Sequence, residues 1–126
     1  WLLSEQVHTV FLAIGANDGL RGLPVDALRS NLREIIHRCQ QRGARVVLAG
    51  MRMPPNYGPE YTKDFAAAYG SVASEESVPL MPFLLENVGG VSEMNQADGL
   101  HPNTKGHGQI ATDVLAFLER EGLLNE

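Results

Sequence analysis

Two apolar runs joined by one amphipathic stretch most strongly constrain the fold of this chain. Residues 7–14 and 45–50 are almost continuously hydrophobic and rich in β-branched side chains, which is typical of strands buried on both faces. From about Pro24 to about Arg42, apolar side chains recur at helical spacing, namely at Leu28, Leu32, Ile35, Ile36 and Cys39. Strand, helix and strand in this order predict a βαβ unit, and hence a parallel sheet with a right-handed crossover.

The rest of the chain continues this alternation. Residues 1–6 are expected to be the end of a helix or its exit loop, and residues 59–76 predict a helix that begins at a proline. Residues 78–83 predict a short strand, which its two prolines confine to a sheet edge. Residues 105–121 predict a last helix, capped by Asn103 or by the threonine after it. The alternation predicts an α/β open sheet with helices on both faces.

Composition excludes several classes of protein. A net charge of −5 with scattered basic residues argues against a nucleic-acid partner. The longest apolar runs are too short to cross a bilayer, so no stable membrane insertion is expected. The single cysteine, Cys39, allows no intrachain disulfide, and its place on the apolar stripe predicts a packed thiol rather than a nucleophile. The length of 126 residues is that of one domain or a large part of one.

The most informative motif is the run DGLHPN over residues 98–103. Asp98 can accept a hydrogen bond from Nδ1 of His101, which fixes the tautomer and leaves Nε2 to take up a proton. Pro102 disfavours a helical backbone at His101, and the helix start that follows favours a neutral imidazole. The alternative is a turn-capping aspartate beside a surface histidine, because so short a motif is common by chance.

A second cluster, GAND at residues 15–18, follows the first predicted strand. It can be a simple turn in which Asn17 bonds to the local backbone, or its amide can be a donor to an oxyanion. Asn17, residues 51–58 and the Asp98–His101 motif follow the first, second and third predicted strands respectively. Ligands of open α/β sheets bind beyond the carboxyl ends of the strands, so one shared site is expected there.

The other polar residues give weaker indications of a functional site. His107 lacks a third ligand at metal spacing, so no zinc site is expected. His8 and His37 have no carboxylate at a suggestive spacing, and Arg52 can bind an acidic group or simply face solvent.

No serine of the chain meets the requirement for a nucleophile, which is a tight turn directly after a buried strand. The serines of the chain lie before the first strand, in or at the end of predicted helices, or in a distal loop: Ser4, Ser30, Ser71, Ser74, Ser77 and Ser92. Residues 7–14 would also form an unprotected apolar edge if only one strand covered them. We therefore expect further strands, and the serine with them, upstream of Trp1.

The chain resembles the C-terminal portion of the SGNH (GDSL-type) serine hydrolases, in particular the bacterial group of arylesterases, acyl-CoA thioesterase I and lysophospholipases. Residues 15–18 (GAND) resemble the family's GxND block, and residues 98–103 (DGLHPN) resemble its DxxHP block. Residues 19–22 and 51–58 are similar to stretches typical of that subgroup. The resemblance covers essentially the whole chain.

This resemblance implies a flavodoxin-like three-layer α/β/α sandwich with a parallel sheet, formed by residues 1–126 as a single domain whose N-terminal strands are missing. It implies that His101 is the general base, that Asp98 orients it and that Asn17 is an oxyanion donor. The family's nucleophilic serine, in a GDS turn, and its oxyanion glycine would lie outside this chain. The residues implied to line the acyl and leaving-group pocket are Arg52, Asn56, Tyr57 and Leu100, with Leu20 in a mobile loop over residues 20–22 beside them.

The function so implied is hydrolysis of acyl esters or thioesters through an acyl-enzyme, by an esterase, thioesterase or lysophospholipase without metal or organic cofactor. A periplasmic or secreted location is the family's tendency, and a cytoplasmic one stays open, as does the oligomeric state. Two alternatives stay open as well. One is a non-catalytic α/β binding module or inactive homologue, and the other is a self-sufficient three-stranded domain or a subunit that borrows strands.

Overall fold

The computed structural model describes residues 7–124, which fall into two compact units divided between Phe83 and Leu84. The expectation for residues 1–6, and with it the position of Ser4, lies outside the described residues.

The first unit is built on a parallel sheet of three strands in the order β1 (Thr9–Leu12), β2 (Arg45–Ala49) and β3 (Leu80–Met81). The predicted parallel sheet is therefore confirmed, with β1 and β3 shorter than predicted. Burial in β2 is nearly complete, as expected of the middle strand. The prediction that the first strand is buried on both faces was wrong, because β1 lies at an edge of the described sheet and only Leu12 of it is buried.

Two long helices provide the crossovers of this sheet, α2 (Val25–Gln41) after β1 and α3 (Pro59–Glu76) after β2. Right-handed crossovers that step in one direction place their helices side by side on the same face. The buried side chains of α2 lie on the predicted stripe, and the α3 core is formed by Phe65, Ala68, Tyr69, Val72 and Ala73.

A short helix, α1 (Ala16–Leu20), follows β1 where the sequence predicted only a turn. Gly15 turns the chain with φ of 103°, which a side chain would disfavour. Its carbonyl accepts a hydrogen bond from the Gly19 amide at 3.1 Å, so the segment closes into a helical turn. A 3₁₀ turn, Pro55–Tyr57, likewise lies within the predicted loop over residues 51–58.

The second unit contains one long helix, α4 (Thr104–Arg120), and a 3₁₀ turn, Ser92–Met94. Asn103 is the N-cap of α4, as one of the two predicted alternatives, because its Oδ1 accepts from the Gly106 amide at 2.9 Å. The apolar side chains of Ile110, Val114 and Leu118 on α4 are only half-buried, whereas Phe117 is buried. Within residues 7–124, no helix is long and apolar enough to cross a membrane.

Candidate functional site

The structure brings Asp98 and His101 into direct contact in the second unit. Oδ2 of Asp98 lies 2.5 Å from Nδ1 of His101. Oδ1 of the same carboxylate accepts from the backbone amides of Leu100, at 2.9 Å, and of His101, at 3.0 Å. Gly99 has φ of 71° within this turn, a conformation that glycine adopts without strain. One carboxylate thus closes the turn and orients the imidazole.

The turn is closed at its base by backbone hydrogen bonds. The amide of Gln96 donates to the His101 carbonyl at 2.7 Å, and the amide of Gly99 donates to the Gln96 carbonyl at 2.9 Å. An isolated antiparallel bridge joins Asn95 to Pro102, the residues that flank Gln96 and His101 in the sequence. Residues 96–101 therefore form a tight loop rather than an open connection.

Two asparagines tie this loop to the segments around it. Nδ2 of Asn103 donates to the carbonyls of Glu93, at 2.8 Å, and of Asn95, at 3.2 Å. Nδ2 of Asn95 donates to the carbonyls of Val88 and Val91, both at 2.8 Å. Sequence reasoning assigned Asn103 only a capping role, since short-range spacing does not reveal which carbonyls an amide reaches.

Hydrogen bonding favours the ionised form of Asp98. The bond from the His101 side chain, followed by those from the His101 and Leu100 amides, lowers the pKa of Asp98 from 3.8 to about 2. The carboxylate is therefore ionised throughout the neutral range and can stabilise an imidazolium. The Nδ1 contact leaves Nε2 as the ring nitrogen for proton transfer, and the His101 side chain is 67% exposed.

Asn17 lies in the first unit, on α1 at the carboxyl end of β1. Its side chain is exposed, and no other group in residues 7–124 forms a hydrogen bond with its side-chain amide. A cleft of about 660 Å³ opens there, lined by residues 13–18 on one side and by α2 side chains, including Leu28 and Ile35, on the other. The Asn17 amide is thus available to a group that enters this cleft.

The hydroxyls of three tyrosines reach the segment that contains α1, a feature that the sequence did not predict. Tyr69 donates to the Ile14 carbonyl at 2.7 Å, and Tyr61 donates to the Leu23 carbonyl at 2.8 Å. Tyr57 donates to the Leu20 carbonyl at 2.9 Å, which brings together two residues predicted to line a pocket. Desolvation, with a smaller effect of the Asp18 carboxylate, raises the pKa of Tyr69, so that its hydroxyl stays a donor.

The remaining predicted pocket residues are accessible. The Arg52 guanidinium lies over the Phe83 ring, 4.7 Å from its centroid, so this exposed side chain is held by a cation–π contact. Asn56 is exposed in the 3₁₀ turn. Leu100, in the second unit, is 48% exposed. Arg52 follows β2 as Asn17 follows β1, so the carboxyl ends of these two parallel strands carry both residues.

A second histidine has a carboxylate partner that its sequence spacing did not indicate. Nε2 of His37 on α2 contacts Oε1 of Glu76 on α3. Beside it, Arg33 donates to Glu75 at 2.9 Å. These pairs join neighbouring helices, and no serine directly follows a strand there. Across residues 7–124, no group of three or more His, Cys, Asp or Glu side chains could hold a metal ion.

The serines that the structure describes agree with their sequence interpretation. Ser30 lies in α2, and Ser71 and Ser74 lie in α3. Ser77 caps the end of α3, and Ser92 begins a 3₁₀ turn. Within residues 7–124, none stands in a tight turn directly after a strand, where an activated serine would be expected.

Comparison with known proteins places these features in one family. Residues 1–109 match the GDSL-like lipase/acylhydrolase family. The chain is 46% identical over 118 residues to esterase TesA of Pseudomonas aeruginosa, covering 94% of this chain and 59% of that protein. It is 38% identical over 102 residues to thioesterase 1/protease 1/lysophospholipase L1 of Escherichia coli, covering 81% of this chain and 49% of that protein.

Solved structures confirm the fold class. The crystal structure of psychrotrophic esterase EstA from Pseudoalteromonas sp., inhibited by monoethylphosphonate, matches with a TM-score of 0.85 and 34% identity. That match covers 94% of this chain and 64% of the EstA chain. The protein belongs to the GDSL-like lipase/acylhydrolase family and has its α/β sandwich fold. It spans about half the length of the curated relatives described above, from 49% to 59%.

Proposed function

We propose that this chain is part of a serine hydrolase that cleaves acyl esters or thioesters through an acyl-enzyme. The observation that carries the proposal is the 2.5 Å contact between Asp98 Oδ2 and His101 Nδ1. A carboxylate in this position fixes the tautomer of the imidazole and stabilises its protonated form. The nucleophilic serine is supplied by a part of the protein outside these 126 residues.

Three residues of the chain act in the proposed reaction. Nε2 of His101 takes the proton of the serine hydroxyl while its oxygen attacks the acyl carbonyl, and Asp98 stabilises the resulting imidazolium. The Asn17 amide donates to the oxyanion that forms on the carbonyl oxygen. His101 then gives the proton to the leaving alcohol or thiol. His101 then takes a proton from water as the water oxygen attacks the acyl-enzyme, and gives this proton to the serine oxygen as the carboxylic acid leaves.

The names of the relatives support esters and thioesters as the substrate class, since they include an esterase, a thioesterase and a lysophospholipase. Leu100 offers an exposed apolar contact beside the histidine. In the first unit, Leu20, Arg52, Asn56 and Tyr57 are the residues proposed to contact the acyl and leaving groups of the substrate. A periplasmic or secreted location is part of this proposal, and fractionation of cells that express the whole gene would test it.

Steady-state hydrolysis of p-nitrophenyl butyrate by the full-length protein tests the function. His101→Ala and Asp98→Asn should lower kcat by roughly three to four orders of magnitude, because either change removes the oriented base. His107→Ala is the matched control, an exposed histidine near the start of α4 outside the proposed site. It should keep kcat within twofold. Activity of His101→Ala within a few-fold of wild type would refute the proposal.

The rival interpretation is a binding module that retains the fold without catalysis. The DNA that encodes the residues before Trp1 distinguishes the two. A Gly-Asp-Ser turn after a predicted strand supports the enzyme, and its absence supports the binding module.

A further inference from the structure

The position of α1 depends on groups outside it. An isolated helix of one turn is unstable in water, because the entropy lost in fixing its backbone outweighs the stabilisation from its few hydrogen bonds. α1 has five residues, and the one of them named as an oxyanion donor, Asn17, is exposed. Its orientation must therefore come from contacts with neighbouring elements.

The first anchor lies at the start of α1. The Tyr69 hydroxyl, on the buried face of α3, donates to the Ile14 carbonyl at 2.7 Å, one residue before Gly15. A Cβ at Gly15 would collide with this hydroxyl oxygen. The Gly15 carbonyl in turn accepts from Gly19. The Tyr69 hydroxyl thus holds the peptide from which the helical turn begins.

The second and third anchors lie along α1 and at its end. Gly19 is buried so closely that a Cβ there would lie 2.6 Å from Cε2 of Phe65, which is one helical turn before Tyr69 on α3. At the last residue of α1, the Leu20 carbonyl accepts from the Tyr57 hydroxyl at 2.9 Å. Asn17 lies between the first anchor, at Ile14, and these two.

We propose that Tyr69 and Tyr57 are positioning residues, whose hydroxyls set the direction of the Asn17 amide by holding both ends of α1. This inference rests on the proposed function, in which Asn17 donates to the oxyanion. An oxyanion donor acts only when it is aligned with the charge that develops in the transition state. Neither tyrosine hydroxyl takes part in the reaction itself.

The test is a double-mutant cycle in the full-length protein with p-nitrophenyl butyrate. Tyr69→Phe removes the hydroxyl and keeps the ring, so kcat should fall about tenfold while KM stays within twofold, because the alignment of Asn17 matters in the transition state. In the Asn17→Ala background, where no amide remains to be aligned, Tyr69→Phe should leave kcat within twofold.

The matched control is Tyr61→Phe. The Tyr61 hydroxyl donates to the Leu23 carbonyl, beyond the end of α1, so its loss should change kcat less than twofold. If Tyr69→Phe cannot be purified folded, Tyr57→Phe applies the same cycle from the other end of α1.

The outcomes separate this inference from the proposed function. If Asn17→Ala leaves kcat unchanged, the oxyanion role of Asn17 in the proposed function fails. If Asn17→Ala lowers kcat and the tyrosine variants do not, the positioning role alone is overturned. The positioning role is also overturned if a tyrosine variant lowers kcat equally in the wild-type and Asn17→Ala backgrounds. Such an effect would not depend on the Asn17 amide and would indicate a general loss of active protein.

Discussion

At the scale of single residues, Asp98 makes the contacts that define the turn around His101. Its carboxylate accepts hydrogen bonds from two backbone amides and contacts Nδ1 of His101, so the same side chain closes the turn and orients the imidazole. A substitution at His101 removes the imidazole but keeps the two backbone amides that donate to Asp98. The contribution of His101 to the charge of Asp98 is therefore measurable by itself.

The predicted result is a shift in the titration of Asp98. Because its pKa is lowered to about 2, the stabilisation from the ionised carboxylate is present above the ordinary value of 3.8 and is lost as the pH falls through about 2. His101→Ala removes the largest cause and leaves the amides, so the pKa should rise but stay below 3.8. Carboxyl ¹³C NMR of the full-length protein measures both midpoints. Equal midpoints in the two proteins would contradict this description of the turn.

Some contacts of single residues could be predicted from the sequence, and others could not be. The pairing of Asp98 with His101 was accessible because both residues lie in one short turn. The burial of Cys39 followed from helical spacing. The tyrosine hydroxyl contacts join residues that are 37 to 55 positions apart, and no local pattern encodes such a contact.

At the scale of elements, the helices were predicted better than the short segments. α3 begins at Pro59 and ends at Glu76 as predicted, since a proline start and a continuous apolar face define it. α1 was missed because five residues are too few to show helical periodicity, and the three in its middle, Asn17, Asp18 and Gly19, are poor helix formers. Its stability comes from tertiary contacts, and the packing of Gly19 can be tested directly.

Gly19→Ala should destabilise the protein by about 1–3 kcal/mol, because the new methyl group would collide with Phe65 and Met53. Gly108→Ala is the matched control in α4, where a Cβ meets open space. It should stabilise the protein by roughly 0.5–1 kcal/mol through helix propensity. Urea denaturation of the full-length protein measures both changes. A neutral Gly19→Ala would contradict the close packing of α1.

The N-terminus of α4 gives a second prediction at this scale. Asn103→Ala removes the cap on Gly106 together with the two bonds to the carbonyls of Glu93 and Asn95. The loss should be about 1–2 kcal/mol in urea denaturation. Thr104→Ala, one residue further on and exposed, is the control and should stay within about 0.5 kcal/mol. Equal effects of the two variants would show that Asn103 does not tie this loop.

At the scale of the whole molecule, family and fold class followed from two short blocks in the correct order, GAND and DGLHPN, set in a βαβα pattern. Sequence patterning predicted the parallel sheet because buried strands and amphipathic helices have distinct periods. It overestimated the burial of β1, since a hydrophobic run does not reveal how many strands cover it. The chain covers only 49% to 59% of the length of these relatives. The location of the nucleophilic serine is therefore the central question.

The most direct measurement is the covalent labelling of the full-length protein by a fluorophosphonate, followed by peptide mass spectrometry. The proposed mechanism predicts one modified serine, located outside these 126 residues, with a labelling rate that falls by at least about a hundredfold in His101→Ala. His107→Ala should label at the wild-type rate. Labelling of a serine at the same rate in wild type and His101→Ala, or no labelled serine in a protein that hydrolyses esters, would contradict the proposal that Asp98 and His101 activate a serine.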